Sequence, residues 1–312
     1  MKIAFFGTPA FAAESLKSLA EAGFEISAVI TAPDKPAGRG QKLQMSDVKK
    51  TALEMGLLIL QPEKLKSTEF IEQFKSLDVD LGVVIAFRML PEIVWSAPKL
   101  GTVNLHASLL PDYRGAAPIN HAIINGETLT GVSTFFLKHE IDTGDIILRE
   151  SIEISPTENA STLHDKLMVL GSRTIVSTVK LIELHREKTP VTAQIISQNP
   201  KLAPKIFRDF CELSTSLNSV DFYNKVRGLS SYPGAWIKSP WGDLKIMACM
   251  PISEFILQEI QNQNQQSLGN SFYLISKSLF VKTIDSYIEV IELQAAGKPK
   301  MKSIDFINGL RL

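Results

Sequence analysis

The sequence contains little cysteine and no long hydrophobic run. Two cysteines, Cys211 and Cys249, occur among 312 residues, and they form no CxxC pair and have no cluster of histidines nearby. This usage argues against a disulfide framework or a cysteine metal site and favours reduced thiols in a cytoplasmic protein. The longest apolar run, residues 81–87, is far too short to span a bilayer, so we expect no membrane partner.

An excess of charge is also missing, since Lys plus Arg and Asp plus Glu number 33 each. Bulk charge therefore predicts no polyanionic partner, and any nucleic-acid binding must come from local patches. The hydrophobic content of 45% and the charged content of 21% are typical of globular proteins. The N-terminal segment MKIAFFGTPAF runs into Gly and Pro instead of a cleavage site, so we expect a first buried strand and not a signal peptide.

Short apolar runs alternate with amphipathic segments through the first 200 residues. Such alternation predicts βαβ units and an α/β fold with a mostly parallel sheet. From about residue 202 the pattern changes to short β-rich runs separated by turn residues, which predicts a small β-barrel. We therefore expect one domain at residues 1–201 and a second at 202–312. The sheet strands of the first domain are predicted at 3–6, 25–31, 57–60, 81–86, 101–106, 131–138 and 145–152.

The first turn between strand and helix lacks the second glycine of a dinucleotide-binding loop. Gly7 is followed directly by Thr8 and Pro9, whereas backbone approach to a pyrophosphate requires a second glycine there. We therefore expect no nicotinamide cofactor, and we interpret Gly7 as a turn that makes room for a bulkier ligand.

Three polar side chains alternate in the segment NLHASLLPDYRGAAP. Asn104, His106 and Ser108 lie on one side of the chain if the predicted strand extends that far. The carboxyl ends of parallel strands face the ligand crevice of an open sheet, so this trio is a candidate site. A hydrogen-bonded core histidine explains the same pattern, and the residues alone leave the two interpretations level.

Asp142, in EIDTGDII, is the second candidate. An aspartate before Thr-Gly is often only a turn former. The letters DTG also occur in aspartic proteases, but those enzymes need two aspartates and a β-rich frame. This chain has one DTG in an α/β domain, which argues against a protease.

A basic loop, PDKPAGRGQKL, follows the second predicted strand. It carries Lys35, Arg39 and Lys42 among Pro and Gly. A charge run is usually a solvated face, but a long Gly/Pro loop in a compact domain is more often functional. Basic side chains suit phosphate groups by charge, and arginine does so through paired hydrogen bonds.

Five segments together resemble one known family: FFGTPAFA, PDKPAGRGQKL, NLHASLLPDYRGAAPI, GVSTFFLKHEIDTGDII and LQAAGKPKMKSIDFING. They occur in the order seen in the methionyl-tRNA formyltransferase family. The resemblance implies a Rossmann-like formyltransferase domain, here 1–201, followed by an OB-like tRNA-binding domain, here 202–312. It also implies formyl transfer from 10-formyltetrahydrofolate to the methionine amine of initiator Met-tRNA, for translation initiation. We expect no metal, a monomer and a cytoplasmic location.

The resemblance also assigns site residues. The family's catalytic trio falls on Asn104, His106 and Asp142, and the basic loop residues Lys35, Arg39 and Lys42 are expected to bind tRNA. The folate-binding residues fall on two segments, SLLP and AFRMLP. They are Ser108, Leu109, Leu110, Pro111, Phe87, Arg88, Met89 and Leu90. Relatives commonly have AYGQILP at the second segment, so this chain is one residue shorter there and has Arg88 where glycine is usual.

The residue types fit this chemistry. An amine that attacks a formamide carbon needs a donor for the developing oxyanion, and the Asn104 amide and a His106 N–H are candidates. Asp142 is expected to orient His106 or balance its charge. Which of His106 and Asp142 takes the amine proton stays open.

Two alternatives remain at this point. One is a formyl-folate-dependent enzyme that acts on a small amine, either a purine precursor or an amino-sugar nucleotide. The other is a non-catalytic folate- or tRNA-binding protein on the same scaffold, although binding alone does not require all of Asn104, His106 and Asp142.

Overall fold

A strand that is apolar throughout lies at the centre of the first sheet. Every residue of β6 (Leu81–Ile85) is buried, as expected for a strand covered on both faces. It pairs in parallel with β1 (Lys2–Gly7) and β7 (Thr102–His106). The computed structural model describes residues 1–37, 42–195, 197–253, 257–258, 265–275 and 277–310.

Seven strands form this sheet in the order β10-β9-β7-β6-β1-β2-β5. The strands β5, β2, β1, β6 and β7 are parallel, and β9 runs antiparallel to β7. The predicted mostly parallel, Rossmann-like sheet is therefore confirmed. The bounds of its remaining strands are β2 (Glu25–Ile30), β5 (Ile59–Leu60), β9 (Leu129–Phe136) and β10 (Ile146–Glu153).

Helices cover both faces of the sheet. Alternate side chains of β1 point to opposite faces, and the residues of β1 after Lys2 are buried, so each face needs a covering layer. Phe6 packs with Phe70 and Phe74 of α3 (Thr68–Ser76) in one cluster. On the other face, a Cβ built on Gly7 would lie 2.6 Å from the Cβ of Ala12 in α1. The further helices of this part are α1 (Ala10–Glu21), α2 (Asp47–Glu54), α4 (Glu92–Trp95) and α6 (Ala160–His185).

The close approach at Gly7 gives this glycine a packing reason. Besides Ala12, the nearest atoms to an added Cβ belong to Phe5 and to the carbonyl of Ile85 on β6. Glycine therefore lets α1 lie against β1 at the switch in strand order, which accounts for the residue without a ligand.

The basic loop contains structure that the sequence did not predict. Strand β3 (Lys35–Ala37) pairs antiparallel with β4 (Lys42–Gln44) to form a hairpin. Arg39 lies outside the described residues. After the hairpin, Ser46 caps α2 through its hydroxyl, which accepts a hydrogen bond of 3.0 Å from the Lys49 N–H.

An ion pair joins the two ends of the segment that carries this hairpin. The Lys49 ammonium donates to Asp34 Oδ2 at 2.6 Å, and the Gln61 amide donates to Asp34 Oδ1 at 2.9 Å and to the Ala32 carbonyl at 2.8 Å. The hydrogen bond from Lys49, and then that from Gln61, lowers the pKa of Asp34 below its ordinary value. The ionised carboxylate is therefore the form that holds the base of the loop.

The chain divides into two compact units. The first contains Met1–Gly115, Thr130–Ile152 and Asp165–Leu202, and the second contains Ala116–Leu129, Glu153–His164 and Ala203–Leu312. The second unit thus includes two segments from the first 200 residues. The two-residue strands β8 (Arg114–Gly115) and β11 (Leu202–Ala203) pair with each other. No helix of the described residues is long and apolar enough to cross a membrane.

The second unit is built on a curled antiparallel sheet. Its strands lie in the order β12-β13-β17-β16-β15-β14, and β18 pairs with β17. The expected small barrel domain is confirmed as a half-barrel of this kind. Its strands are β12 (Ala235–Ser239), β13 (Gly242–Pro251), β14 (Gln266–Gly269), β15 (Phe272–Ile275), β16 (Ser278–Lys282), β17 (Tyr287–Ala295) and β18 (Met301–Lys302).

Helices also pack within the described part of this second unit. A Cβ built on Gly228 of α7 (Ser219–Leu229) would lie 2.5 Å from Ile124 of α5 (Pro118–Ile124), so glycine permits the close helix pair. Phe222 of α7 is fully buried with the inward residues of the sheet. The C-terminal helix α8 (Ser303–Asn308) packs on β16 and β17.

We predict that Phe74→Ala lowers the free energy of unfolding by about 3–5 kcal/mol, because it removes a buried ring and leaves a cavity. Phe74 is 1% exposed and its ring centroid lies 5.5 Å from that of Phe6. Chemical denaturation measures the change. The matched control Leu184→Ala, at a side chain that is 75% exposed, should change the value by less than about 0.5 kcal/mol. Equal effects of the two substitutions would contradict this packing.

A second prediction concerns pH. Since the pKa of Asp34 is lower in the folded chain than in the unfolded one, its charge stabilises the fold above the ordinary carboxyl range, and the effect disappears as pH falls through the lowered pKa. Asp34→Asn should therefore lower the urea midpoint most at neutral pH, and its difference from the unsubstituted chain should shrink in acid. Glu25→Gln, at an exposed position of β2, is the control; a pH-independent effect of Asp34→Asn would refute the prediction.

Candidate active site

The carboxyl ends of β1, β6 and β7 meet at one edge of the first sheet. The chain leaves β1 toward β2 and β5 on one side, and it leaves β6 toward β7 on the other. Gly7 and Ile85 are directly paired at the ends of β1 and β6. Ligands of open α/β sheets bind at such a switch in strand order, so this edge of the sheet is the candidate ligand site.

Strand β7 brings Asn104 and His106 to this edge. The strand ends at His106, so the alternation places Asn104 and His106 on one side of β7, and Ser108 lies beyond the strand. Asn104 is partly buried, and we find no hydrogen bond between its side-chain amide and any residue that the structure describes. The amide of Asn104 is therefore available to a bound molecule as donor and acceptor.

The imidazole of His106 is buried, with 8% of the residue exposed. Its Nε2 lies 2.8 Å from the backbone carbonyl oxygen of Tyr113. Because a carbonyl oxygen only accepts, Nε2 carries the proton and donates it to Tyr113. In the neutral ring Nδ1 is then unprotonated, and it is the ring nitrogen that can accept a proton.

Asp142 faces that nitrogen. Its Oδ2 lies 3.9 Å from Nδ1 of His106, with the two side chains 13% and 9% exposed. The distance is too long for a direct hydrogen bond, but a carboxylate this close attracts a protonated imidazole in a largely buried site. The same Oδ2 accepts a hydrogen bond of 3.0 Å from the Gly115 N–H.

The turn that presents Asp142 also accounts for the two residues that follow it, Thr143 and Gly144. The Thr143 hydroxyl donates to the Glu140 carbonyl at 2.9 Å, and a Cβ built on Gly144 would overlap the carbonyl oxygen of Phe136. Thr143 and Gly144 therefore shape the turn that carries Asp142.

The SLLP segment is held by hydrogen bonds to Ser133, a residue that the sequence analysis did not identify. Ser133 on β9 donates its hydroxyl proton to the Ser108 carbonyl at 2.7 Å and accepts from the Leu110 N–H at 3.0 Å. The Ser108 hydroxyl donates to the Asp112 carbonyl at 2.7 Å. A serine in a buried strand gives no sequence signal of this role, because its partners lie more than twenty residues away.

Two of the four SLLP side chains make their contacts within the protein. Leu110 is fully buried in a cluster with Phe135 and Ile146, and the hydroxyl of Ser108 is engaged as described. Leu109 and Pro111 remain partly exposed. Any contact of this segment with a ligand through side chains therefore falls to Leu109 and Pro111.

The AFRMLP segment turns sharply after β6, where Ala86 has a φ of 46°. Phe87 packs on Phe6 with ring centroids 6.0 Å apart. The Arg88 guanidinium donates to the carbonyls of Pro62 and Glu63, the latter at 2.7 Å, and lies 5.6 Å from the Phe87 ring centroid. Met89 is 74% exposed and Leu90 is buried. The arginine thus ties this segment to the loop after β5.

A cleft of about 490 Å³ opens beside this segment, at the carboxyl ends of β1, β2, β5 and β6. Its lining combines the Phe87 ring, two cationic and two acidic side chains. The lining residues are Thr8, Ala32, Pro33, Asp34, Lys35, Glu63, Phe87 and Arg88. The basic-loop residue Lys35 therefore faces the cleft, while Lys42 is a residue of β4 and Arg39 lies outside the described residues. In the described part of the chain, no group of three or more His, Cys, Asp or Glu side chains is arranged to hold a metal ion.

Comparison with known families identifies the two halves of the chain. The family model described as formyl transferase matches residues 1–179, and that described as formyl transferase, C-terminal domain, matches residues 205–311. Among solved structures, HypX from Aquifex aeolicus in complex with tetrahydrofolic acid aligns with a TM-score of 0.64 at 16% identity, covering 98% of this chain and 47% of that one. The sugar 3N-formyl transferase WlaRD aligns with a TM-score of 0.63 at 19% identity, covering 96% and 99%. Both show the fold alone.

Curated relatives are much more similar. The methionyl-tRNA formyltransferase of Bacteroides thetaiotaomicron is 44% identical over 316 residues, covering 100% of this chain and 96% of the relative. Those of Flavobacterium psychrophilum and Phocaeicola vulgatus are 45% and 47% identical, with 99% and 100% of this chain covered and 96% of each relative. The aligned region covers both units. The chain belongs to the methionyl-tRNA formyltransferase family.

Proposed function

We propose that this chain transfers the formyl group of 10-formyltetrahydrofolate to the α-amine of methionine on initiator Met-tRNA. The observation that carries the proposal is the arrangement of Asn104, His106 and Asp142 at the carboxyl end of β7, in a chain 44–47% identical to curated enzymes of that name. A free amide, an imidazole with an unprotonated Nδ1 and a nearby carboxylate are the groups that this reaction needs.

The co-substrate supplies the formyl carbon when bound, and the residues present fit it. Phe87, Met89, Leu109 and Pro111 offer apolar surface that is half-buried or exposed, as a flat pterin requires. We propose that this surface binds the folate together with the rest of SLLP and AFRMLP. Ser108 and Leu110 serve it by fixing the shape of the first segment, and Arg88 and Leu90 by fixing the second.

Within the transfer, Asn104 donates its amide N–H to the formyl oxygen as negative charge develops there. Nδ1 of His106 accepts the proton that the amine loses on attack, since Nε2 is already protonated and bound to Tyr113. Asp142 stabilises the resulting imidazolium from 3.9 Å. His106 then returns the proton to the nitrogen that departs from the formyl carbon, so the carbon–nitrogen bond formed is balanced by the one broken. In this assignment His106 takes the amine proton, and its Nε2–H is not an oxyanion donor.

The tRNA is proposed to contact the basic loop through Lys35, Arg39 and Lys42. Lys35 faces the cleft, and the Asp34–Lys49 ion pair holds the base of the hairpin. We propose 1–201 as the catalytic domain and 202–312 as the tRNA-binding domain. We further propose that the enzyme acts as a monomer in the cytoplasm, where translation initiation uses its product.

The alternative of a small amine acceptor is not favoured, because the relatives with 44–47% identity over the whole chain are methionyl-tRNA enzymes. Incubation with 10-formyltetrahydrofolate and charged initiator tRNA, in parallel with an amino-sugar nucleotide or a purine-precursor ribonucleotide, separates the two. Formyl-methionine on tRNA is the expected product. Formylation of a small amine instead would overturn the proposal, and folate or tRNA binding without transfer would indicate a non-catalytic protein.

We predict that Asn104→Ala lowers kcat by about a hundredfold or more, because one oxyanion donor is lost, and leaves both KM values near those of the unsubstituted enzyme. Initial rates of formyl-Met-tRNA formation measure this. His106→Ala should also remove most activity, since no group remains to take the proton. Asn199→Ala, at an exposed site, is the control. Unchanged kcat in either active-site variant would remove that residue from the mechanism.

For the basic loop, we predict that Arg39→Ala combined with Lys42→Ala raises the KM for tRNA and flattens the salt dependence of kcat/KM, because fewer phosphates are neutralised. The KM for folate should not change. A charge-matched control is Lys75→Ala combined with Lys180→Ala, at exposed positions of α3 and α6. If the loop variant and the control have the same KM for tRNA, the loop does not contact it.

A further inference from the structure

The backbone of Asp142 adopts the left-handed conformation, which aspartate tolerates better than most residues other than glycine. Its φ of 56° lies in the left-handed region, which is uncommon for residues other than glycine and needs support from the surrounding structure. Two positions later, Gly144 packs against the Phe136 carbonyl. The turn that presents the carboxylate is thus one whose geometry must be imposed by its neighbours.

Gln194, about fifty residues further along the chain, makes the hydrogen bonds that impose it. Its amide nitrogen donates to the Asp142 carbonyl at 2.9 Å and to the Gly144 carbonyl at 2.7 Å. Its amide oxygen accepts from the Arg114 guanidinium at 2.6 Å. The three partners fix the orientation of the amide, because a flipped amide would place an oxygen against two carbonyls and a nitrogen against a cation.

The segment that carries Gln194 is itself held to the sheet. The backbones of Thr192 and Ile146 exchange two hydrogen bonds of 2.8 Å, which attaches residue 192 to the first residue of β10. Gln194 therefore reaches the 142–144 turn from a fixed base, and its two donors restrain both ends of that turn.

This restraint matters because the contact between Asp142 and His106 does not orient the carboxylate. At 3.9 Å the two side chains form no hydrogen bond and attract each other by charge only when the imidazole is protonated, so the position of Oδ2 depends on its other contacts. These are the Gly115 N–H on the side chain and Gln194 on the backbone. Gln194 also accepts a hydrogen bond from Arg114, the residue that precedes Gly115. One connected group of hydrogen bonds therefore holds the carboxylate through both its side chain and its backbone.

We infer that Gln194 is a positioning residue for formyl transfer, which holds the Asp142 turn so that the carboxylate faces Nδ1 of His106. The inference rests on the proposed roles of Asp142 and His106. It predicts that removal of the two turn hydrogen bonds impairs the chemical step while leaving substrate binding intact.

The test compares two substitutions that separate the contacts of Gln194. Gln194→Met keeps the length of the side chain and loses all three hydrogen bonds, whereas Gln194→Glu keeps an acceptor for Arg114 and loses the donors to the turn. Both should lower kcat by tenfold to about a hundredfold, as expected for a small displacement of a reacting group, with both KM values unchanged. Gln198→Ala, at an exposed position of the same segment, should retain full activity.

A double-substitution cycle distinguishes positioning from a general structural role. With Asp142→Asn in place, adding Gln194→Met should cost less than about twofold, because the group that Gln194 positions is gone. An equal loss in both backgrounds would overturn the inference, as would full kcat in Gln194→Glu. If Gln194→Met does not reach the unfolding midpoint of the unsubstituted enzyme, the cycle is run with Gln194→Glu.

Failure of the proposed mechanism gives a different result. Full activity of Asp142→Asn alone would remove the role of Asp142 and the inference with it. Loss of activity in Asp142→Asn together with full activity in both Gln194 variants would remove only the inference.

Discussion

The hydrogen bond from His106 Nε2 to the carbonyl of Tyr113 is the interaction on which the site depends. At 2.8 Å, with the ring buried, it fixes both the tautomer and the plane of the imidazole. Nδ1 is then the nitrogen without a proton in the neutral ring, and Asp142 lies on that side. Tyr113 itself has a φ of 61°, so the carbonyl that sets the chemistry comes from a backbone held in an uncommon conformation by its surroundings.

Much of the fold and part of the site were predictable from the sequence. Residues 81–85 are apolar without interruption, and a strand covered on both faces follows from that pattern. Asn104 and His106 were predictable because a strand's alternation and its carboxyl end together locate them. Ser108 does not share this alignment, because β7 ends at residue 106, as the predicted strand does. The mostly parallel sheet followed from the alternation of helices and strands, and its Rossmann-like character was implied by the family resemblance.

Long-range polar contacts account for what the sequence did not predict. Ser133 and Gln194 are 25 and 52 residues away from their partners Ser108 and Asp142, and neither carries a local pattern. Contacts between distant residues also decide which segments belong to the second compact unit. Residues 116–129 and 153–164 belong to it because of packing such as Ile124 against Gly228 and the hydrogen bond of 3.0 Å from Arg227 to the Glu158 carbonyl, and no composition shift marks those segments.

The turn at residues 142–144 has a consequence for how its sequence can drift. Thr143 serves a carbonyl three residues earlier, and any side chain at position 144 would overlap Phe136. The geometry of the turn therefore constrains Thr143 and Gly144. We expect both residues to be retained in a descendant that had lost its activity, for as long as the turn stayed intact. In a distant homologue, Thr and Gly at these two positions would therefore indicate only that the turn is retained.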